Sequence, residues 1–355
     1  VFGQVLQLRN LGAGAPVGYG GTYIASAQER IMIVGVGYAD GVPRLLVHEP
    51  QPWRSELIDL SHLDPTAQQQ QVTHWVDEDA ARIYSLQDDA LFTTRILKLD
   101  EDTHILLLNM HHIVSDGWSL GVLVQEIEAL YPAFAAGQGS PLPPLPIQYS
   151  DFAVWQRNWL QGEVLESLRR YWQDALRGAP DVLRLPTDKP RPKHQTFNGA
   201  HYQVTLGESL SARLARFCEQ NDFTPFMVLM GAYQLMLSRY AGQQDICVGI
   251  PIAGRNRAEL EGLIGFFING LVIRTRLEDN PSVMDYLNQV KEVSLGAYAH
   301  QDMPADLLLD AIKMERTADT SPGAQVGFAL QNVAQESLQA EMAGLSVDTE
   351  PIVMN

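Results

Sequence analysis

The sequence predicts an α/β fold in two lobes, and three observations predict it. Short apolar, β-branched runs such as Ile246–Ile252 alternate along the chain with stretches of helical apolar spacing. Two proline-rich stretches, Gly139–Pro146 and Leu185–Lys193, interrupt that alternation, and the second is the best boundary between lobes. The 355 residues are 46% hydrophobic and 19% charged, enough to bury a sizeable core. At roughly 100–200 residues per domain, two or three domains are expected.

The elements follow in order. Residues 1–46 hold nine of the 28 glycines and set Arg9, Arg30 and Arg44 against Glu29 and Asp40. Val1–Leu8 and Arg30–Val36 read as strands, with Gly18-Tyr19-Gly20-Gly21 as a tight turn between them. This is a β-rich segment. Glu49-Pro50-Gln51-Pro52 reads as a linker, and the composition changes from about residue 47. Pro65–Glu78 is a helix, with Asp64 as its cap and Pro65 at its first position. Leu91–Leu99 and His104–Met110 are strands. Leu123, Ile127, Leu130 and Phe134 form one face of an amphipathic helix, with Pro132 a candidate early end or kink. Gly139–Pro146 is an extended connector. Phe152, Trp155, Trp159, Leu165, Leu168, Trp172 and Leu176 mark a long helical region up to Gly178. Beyond Leu185–Lys193, Ala200–Leu206 alternates like a strand, and Ser209 is the expected cap of a helix through Gln220. Thr224-Pro225 opens a helix to about Tyr240. Ile246–Ile252, Phe266–Thr275 and Gln325–Asn332 are strand candidates, and Ser282–Ala299 and Pro304–Lys313 are helical.

Composition excludes several classes. With 25 basic against 42 acidic residues the net charge is −17, which argues against nucleic-acid binding through phosphate neutralisation. No apolar run reaches the ~20 residues that span a bilayer. The start lacks an initiator Met and a signal pattern, so a fragment is expected. Cys218 and Cys247 have neither metal spacing nor a disulfide framework, and a reducing cytoplasm is the default expectation.

One stretch carries chemistry: Met110-His111-His112-Ile113-Val114-Ser115-Asp116-Gly117-Trp118-Ser119. A buried strand ends in two histidines, and a loop with Asp116 and Gly117 leads into a helix. A histidine there can handle protons near neutral pH, an aspartate can orient it or pair with a cation, and glycine permits a tight path. The plain alternative is two half-buried histidines at a strand end. A metal site of His111, His112 and Asp116 fits poorly, because adjacent strand residues point to opposite faces. Gly117-Trp118-Ser119-Leu120-Gly121 matches the G-x-S-x-G elbow of serine esterases, with Ser119 as nucleophile, although residues intervene between strand and serine. The third reading is a histidine-dependent acyltransferase with Asp116 in a structural part.

His111-His112 through Asp116-Gly117 resembles the HHxxxDG signature of condensation domains of non-ribosomal peptide synthetases. Further motifs stand in the family's order. Tyr149-Ser150-Asp151-Phe152-Ala153-Val154-Trp155-Gln156 is similar to its Y-x-D-F-A-x-W motif. Gly249 to Arg255 and Ile264 to Asn269 resemble its latch and floor-loop segments, and Arg274 falls at the arginine of I-G-x-F-V-N-T-x-x-x-R. His300-Gln301-Asp302-Met303-Pro304 resembles H-Q-D-x-P, and Phe328 to Asn332 resembles F-x-L-Q-N. The resemblance covers about residues 47–355. It implies a two-lobed chloramphenicol-acetyltransferase-like fold with a tunnel, lobes 47–185 and 194–355. It also implies amide formation between a carrier-bound acyl thioester and a carrier-bound amine. His112 would be the catalytic histidine, as base or as positioner of the amine, and His111 a packing residue. Asp116 would pair with Arg274, Gly117 would offer a backbone N–H to the oxyanion, and Asn332 would line the tunnel. Implied partners are donor and acceptor peptidyl carrier proteins and an adjacent adenylation domain. No cofactor is bound directly, the substrates riding on phosphopantetheine arms.

Departures accompany the match. Arg316 to Gly323 follows R-D-x-S-x-x-P-L only loosely, and Gly270 stands where V-N-T has threonine. The family's opening strand and helix are expected before residue 47, and further strands and a helix after Asn355. An incomplete tunnel with uncovered sheet edges is expected to lower stability and solubility. A non-catalytic module that only docks carriers is therefore an alternative beside the esterase. Residues 1–46 resemble instead the C-terminal β domain of alanine racemases, through Gly18 to Tyr23 and Val36-Gly37-Tyr38-Ala39-Asp40-Gly41. Tyr19 and Tyr38 would match its functional tyrosines as vestiges. None of Lys98, Lys189, Lys193, Lys291 or Lys313 sits in a racemase-like context, so pyridoxal phosphate binding is not expected.

Overall fold

In a computed structural model, residues 55–86, 88–189, 199–200, 202–312 and 324–330 are described in full, together with the backbone of strands between residues 9 and 48 and between 340 and 347. The early strands are β1 (Arg9–Leu11), β2 (Pro16–Val17), β3 (Tyr23–Ile24), β4 (Glu29–Ala39) and β5 (Val42–His48). β4 pairs antiparallel with β1 and β5. The expected strand Arg30–Val36 thus lies inside β4, and β5 runs through the boundary expected at residue 46. Val1–Leu8, Tyr19 and the linker at 49–52 lie outside the described residues, and only the backbone of Tyr38 is described, paired with Pro43.

The chain then forms β6 (Glu56–Asp59), α1 (Pro65–Ala80), β7 (Phe92–Lys98) and β8 (His104–Met110). β7 is central, parallel to β6 and antiparallel to β8, with Phe92 opposite Met110. Asp64 caps α1 by accepting from the Thr66 and Ala67 N–H groups, as its position before Pro65 predicts. Leu60, Leu97 and Leu107 form a small core, with Trp75 of α1 packed on it. α2 (Gly117–Ala135) follows a short 3-10 turn, His112–Val114. Contrary to expectation, Pro132 does not end α2. It lies in the last turn, where it removes a single helical hydrogen bond. Residues 139–147 are irregular.

The expected long helical region is two helices, α3 (Tyr149–Trp159) and α4 (Gly162–Leu176), broken at Gly162, whose φ is positive. α5 (Glu208–Asn221) starts at Gly207 rather than Ser209, because the Leu210 and Ser211 N–H groups bond the Gly207 carbonyl. α6 (Pro225–Ala241) is capped by Thr224. β9 (Asp245–Ile252), α7 (Ala258–Glu261), β10 (Asn269–Arg276), α8 (Val283–Ala299) and α9 (Ala305–Ile312) follow, then β11 (Ala340–Met342) and β12 (Leu345–Val347).

Two strand expectations fail. Residues 202–207 are irregular, because their alternation turns Tyr202, Val204 and Leu206 to solvent. Residues 324–330 make one parallel bridge, Gly327 to Gly249, while Gln331 and Asn332 lie outside the described residues.

The chain divides into two compact units. The first takes in Val1–Trp159, Arg255–Phe267 and Val333–Asn355, and the second Leu160–Gly254 and Ile268–Asn332. The units part between Trp159 and Leu160, before the proline-rich stretch rather than at it. The reason is α4: its buried Leu168, Trp172 and Leu176 belong to the second unit's core. In that core β9 pairs antiparallel with β10, and Met230 of α6, Val290 of α8 and Met303 are fully buried around them. Residues 255–267 are the other departure, a short excursion from the second half of the sequence into the first unit.

Candidate functional site

The apolar run of β8 carries the chain to Met110, which is wholly buried, and the next residues leave the sheet. His111 is extended, and its Nδ1 accepts the Ile113 N–H at 3.0 Å, capping the 3-10 turn. Its ring packs edge-on against Tyr84. Burial, and then the neighbouring His112, hold the His111 imidazole below its ordinary pKa. His111 thus caps the turn and packs against Tyr84.

His112 is half-buried and held differently. Its Nδ1 lies 2.6 Å from the Ser115 carbonyl oxygen, so Nδ1 carries the hydrogen. With that hydrogen on Nδ1, the lone pair of an uncharged imidazole is on Nε2, the atom from which a base or amine acceptor works. The ring also meets Phe266 edge-on, centroids 5.4 Å apart at 80°.

Asp116 is the N-cap of α2 and is buried. Its Oδ1 accepts from the Ser119 N–H at 2.9 Å, the Ser119 hydroxyl at 2.8 Å and Arg255 Nη2 at 2.9 Å; its Oδ2 accepts the Phe267 N–H at 3.0 Å. Arg255 has a wholly buried side chain and donates through Nη1 to the Leu260 and Leu263 carbonyls. Its guanidinium lies 4.1 Å from the Phe267 ring centroid. Burial pulls its pKa down, and the Asp116 carboxylate opposes that. A carboxylate with this many donors is a structural anchor, joining the loop after β8 to residues 255–267.

Two expectations are corrected here. Asp116 pairs with Arg255, not Arg274. Arg274 lies on β10 and grips Asp245 of the adjacent β9 through Nε–Oδ1 at 2.8 Å and Nη2–Oδ2 at 2.6 Å, with Nη1 on the Ala175 and Arg177 carbonyls. Its place in the hairpin commits it to the second unit's core. Sequence reasoning had Arg255 only as the end of a motif, and no periodicity links it to Asp116, 139 positions away. The available signal was the buried N-cap carboxylate, which calls for a cation. The second correction is Ser119. Its side chain is fully buried in α2, with Asp116, Arg255 Nη2 and both backbone groups of Gly265 as partners. A hydroxyl so enclosed cannot be the exposed nucleophile of an esterase elbow.

Gly117 is the first residue of α2, where backbone N–H groups have no intrahelical acceptor. A Cβ added there would meet nothing within 4 Å, so the space beside it is open. Asn332, expected in the tunnel, and Tyr19 lie outside the described residues. Among the described residues no three His, Cys, Asp or Glu side chains gather as a metal site, and no helix is long and apolar enough to cross a membrane.

Comparison with known proteins gives a consistent result. The family model of the condensation domain matches residues 30–353, and that of the alanine racemase C-terminal domain matches residues 1–55. The first match begins earlier than residue 47, and the two overlap. A linear gramicidin synthase of Brevibacillus parabrevis is 44% identical over 305 residues, 86% of this chain and 6% of its own length. Malpinin synthetase of Mortierella alpina is 40% identical over 280 residues, 79% of this chain and 4% of its own length. The chain therefore spans a small part of these relatives. Among solved structures, the X-domain from teicoplanin biosynthesis matches with a TM-score of 0.75 at 22% identity, covering 83% of this chain and 65% of that one. The first condensation domain of the calcium-dependent antibiotic synthetase, in complex with a substrate analogue, matches with a TM-score of 0.62 at 22% identity, covering 84% and 66%. These two likenesses show the fold.

Proposed function

The chain belongs to the condensation-domain family, and we propose that it joins a carrier-bound acyl or peptidyl thioester to a carrier-bound aminoacyl group with His112 at the reacting centre. The observation that supports the reading is the contact of His112 Nδ1 with the Ser115 carbonyl, which fixes the hydrogen on Nδ1 and so leaves the basic lone pair of the uncharged ring on Nε2.

The chemistry follows from that atom. Nε2 accepts the N–H of the acceptor amine and aims its lone pair at the thioester carbonyl carbon. As the C–N bond forms, the proton passes to Nε2 and negative charge gathers on the carbonyl oxygen. The Gly117 N–H, at a helix N-terminus, stabilises that charge. Collapse breaks the C–S bond, and the phosphopantetheine sulfur leaves with the proton that Nε2 returns. Amide and thiol are the products, and the histidine ends as it began. Asp116 and Arg255 make no proton transfer; they fix the start of α2 and hence Gly117. The two substrates arrive on phosphopantetheine arms of donor and acceptor carrier proteins, within a synthetase that also has an adenylation domain.

The test is single-turnover amide formation from carrier-loaded donor and acceptor. His112→Ala is expected to lower the rate at least ~100-fold, the usual scale for a positioned acid–base group, with the far-UV circular dichroism unchanged. Equal rates in the two proteins would reject His112. Carrier binding with no product from the wild-type chain would favour a docking module instead.

A further inference from the structure

We propose that Phe266 is a positioning residue for His112, setting the ring orientation that keeps Nδ1 on the Ser115 carbonyl and Nε2 toward the substrates. The inference deepens the proposed function and rests on that assignment of His112.

Phe266 is 38% exposed, between a buried Gly265 and a buried Phe267. A large aromatic ring at the surface usually samples several rotamers, because little packs around it. Here the backbone that presents it is pinned at three consecutive residues. The Gly265 N–H donates to Ser119 Oγ at 3.1 Å, and the Gly265 carbonyl lies 3.0 Å from the same oxygen. The Phe266 carbonyl accepts the Tyr149 hydroxyl at 2.9 Å. The Phe267 N–H reaches Asp116 Oδ2 at 3.0 Å. Position 265 must be glycine at this approach, since a Cβ there would overlap the Tyr149 ring. These bonds belong to the network that caps α2, so the segment bearing Phe266 and the loop bearing His112 are held by one set of groups.

The contact that results is the edge-on meeting of the Phe266 and His112 rings, 5.4 Å between centroids. A half-buried imidazole can turn about its Cβ–Cγ bond, which carries Nδ1 off the Ser115 carbonyl and brings the carbon Cδ2 into its place. The Phe266 ring stands on one side of that rotation. It limits the swing of the imidazole and so keeps Nδ1 on the Ser115 carbonyl, the acceptor that selects the Nδ1–H tautomer. The network around Asp116 thereby has a kinetic consequence although none of its charged groups touches the reaction.

The test separates this inference from the functional reading. In the full chain labelled with 15N, the His112 ring nitrogens are assigned by comparison with His112→Gln, and their shifts report the tautomer. The wild type is expected in the Nδ1-protonated form. Phe266→Tyr, which keeps the ring, is expected to retain it. Phe266→Ala and Phe266→Leu are expected to show a mixture, with kcat for amide formation falling roughly tenfold and KM changing less than about twofold. The Leu variant carries the test if the Ala variant does not fold. A wild-type tautomer in both variants overturns the proposal, and so does wild-type kcat in both. The nitrogen shifts need no substrate. If His112→Gln formed amide at the wild-type rate, the functional reading would fall while a tautomer shift in Phe266→Leu would still stand.

Discussion

Two of the arginine–aspartate pairs among the described residues, Arg274–Asp245 and Arg255–Asp116, are built on opposite principles. In the second unit, Arg274 reaches diagonally across neighbouring strands to Asp245 as a two-bond fork, and Asp245 keeps about a quarter of its side chain in solvent. The hydrogen bonds outweigh burial there, and the Arg274 pKa is raised. In the first unit, Arg255 and Asp116 meet through one guanidinium nitrogen, both almost wholly buried, and burial outweighs attraction so that the Arg255 pKa is lowered. The Arg274 pair is local in sequence and ties a hairpin to the end of α4. The Arg255 pair is long-range and gathers Ser119, Gly265 and Phe267 around one carboxylate. A buried pair contributes little net stability against an apolar replacement, yet it is severe to break. Its use here is to fix the loop between β8 and α2 against residues 255–267.

That contrast can be broken most directly by removing one partner of each pair. Asp116→Ala strands the Arg255 charge inside the first unit and should cost about 3–5 kcal/mol of folding free energy. Arg274→Met leaves Asp245 partly in water and should cost less, about 1.5–3 kcal/mol. Urea denaturation of both variants checks the order, and a larger loss for Arg274→Met would refute it. A smaller effect is expected at Ser119, where alanine removes one hydroxyl between Asp116, Arg255 and Gly265. Ser119→Ala should lose about 1–3 kcal/mol. A fluorophosphonate should label neither it nor the wild type; labelling of Ser119 would restore the esterase reading.

The smallest effect belongs to His111, a partly buried imidazole. Its pKa is held below the ordinary 6.5, so in acid the unfolded chain binds a proton that the folded chain resists. Stability from this residue is complete above pH 6.5 and is lost as pH falls through the lower folded value. Melting temperatures of wild type and His111→Gln between pH 7.5 and 5 should converge as the solution becomes acid. A pH-independent difference would show that His111 does not titrate differently on folding.

Much of the fold was legible because its signals are local. Asp64 before Pro65 and Thr224 before Pro225 announce helix starts, and both caps form. HILLLNM announces a buried strand, and β8 has those bounds, but it is buried only in part, with His104 and Leu106 exposed. Where the local signal misled, a neighbour was lacking or a tertiary contact outweighed it. Residues 202–207 alternate like a strand, but strand structure needs a partner for its backbone, and Tyr202 and Val204 face water. Gly162 splits a region whose aromatic spacing reads as continuous. Pro132 lies in the last turn of α2, and the helix runs on past it to Ala135.

The candidate site divides along the same line. The order of motifs identified the family, and the strand–turn–helix around His112 and Asp116 follows from residues within one loop, where apolar run, cap and glycine act over a few positions. The partner of Asp116, the burial of Ser119 and the edge of Phe266 against His112 were decided by the return of residues 255–267 to the first unit. Linear patterns encode which backbone bonds form nearby. They do not encode which distant cation enters a cavity, because that depends on the desolvation and shape of a space that exists only once the chain has closed around it.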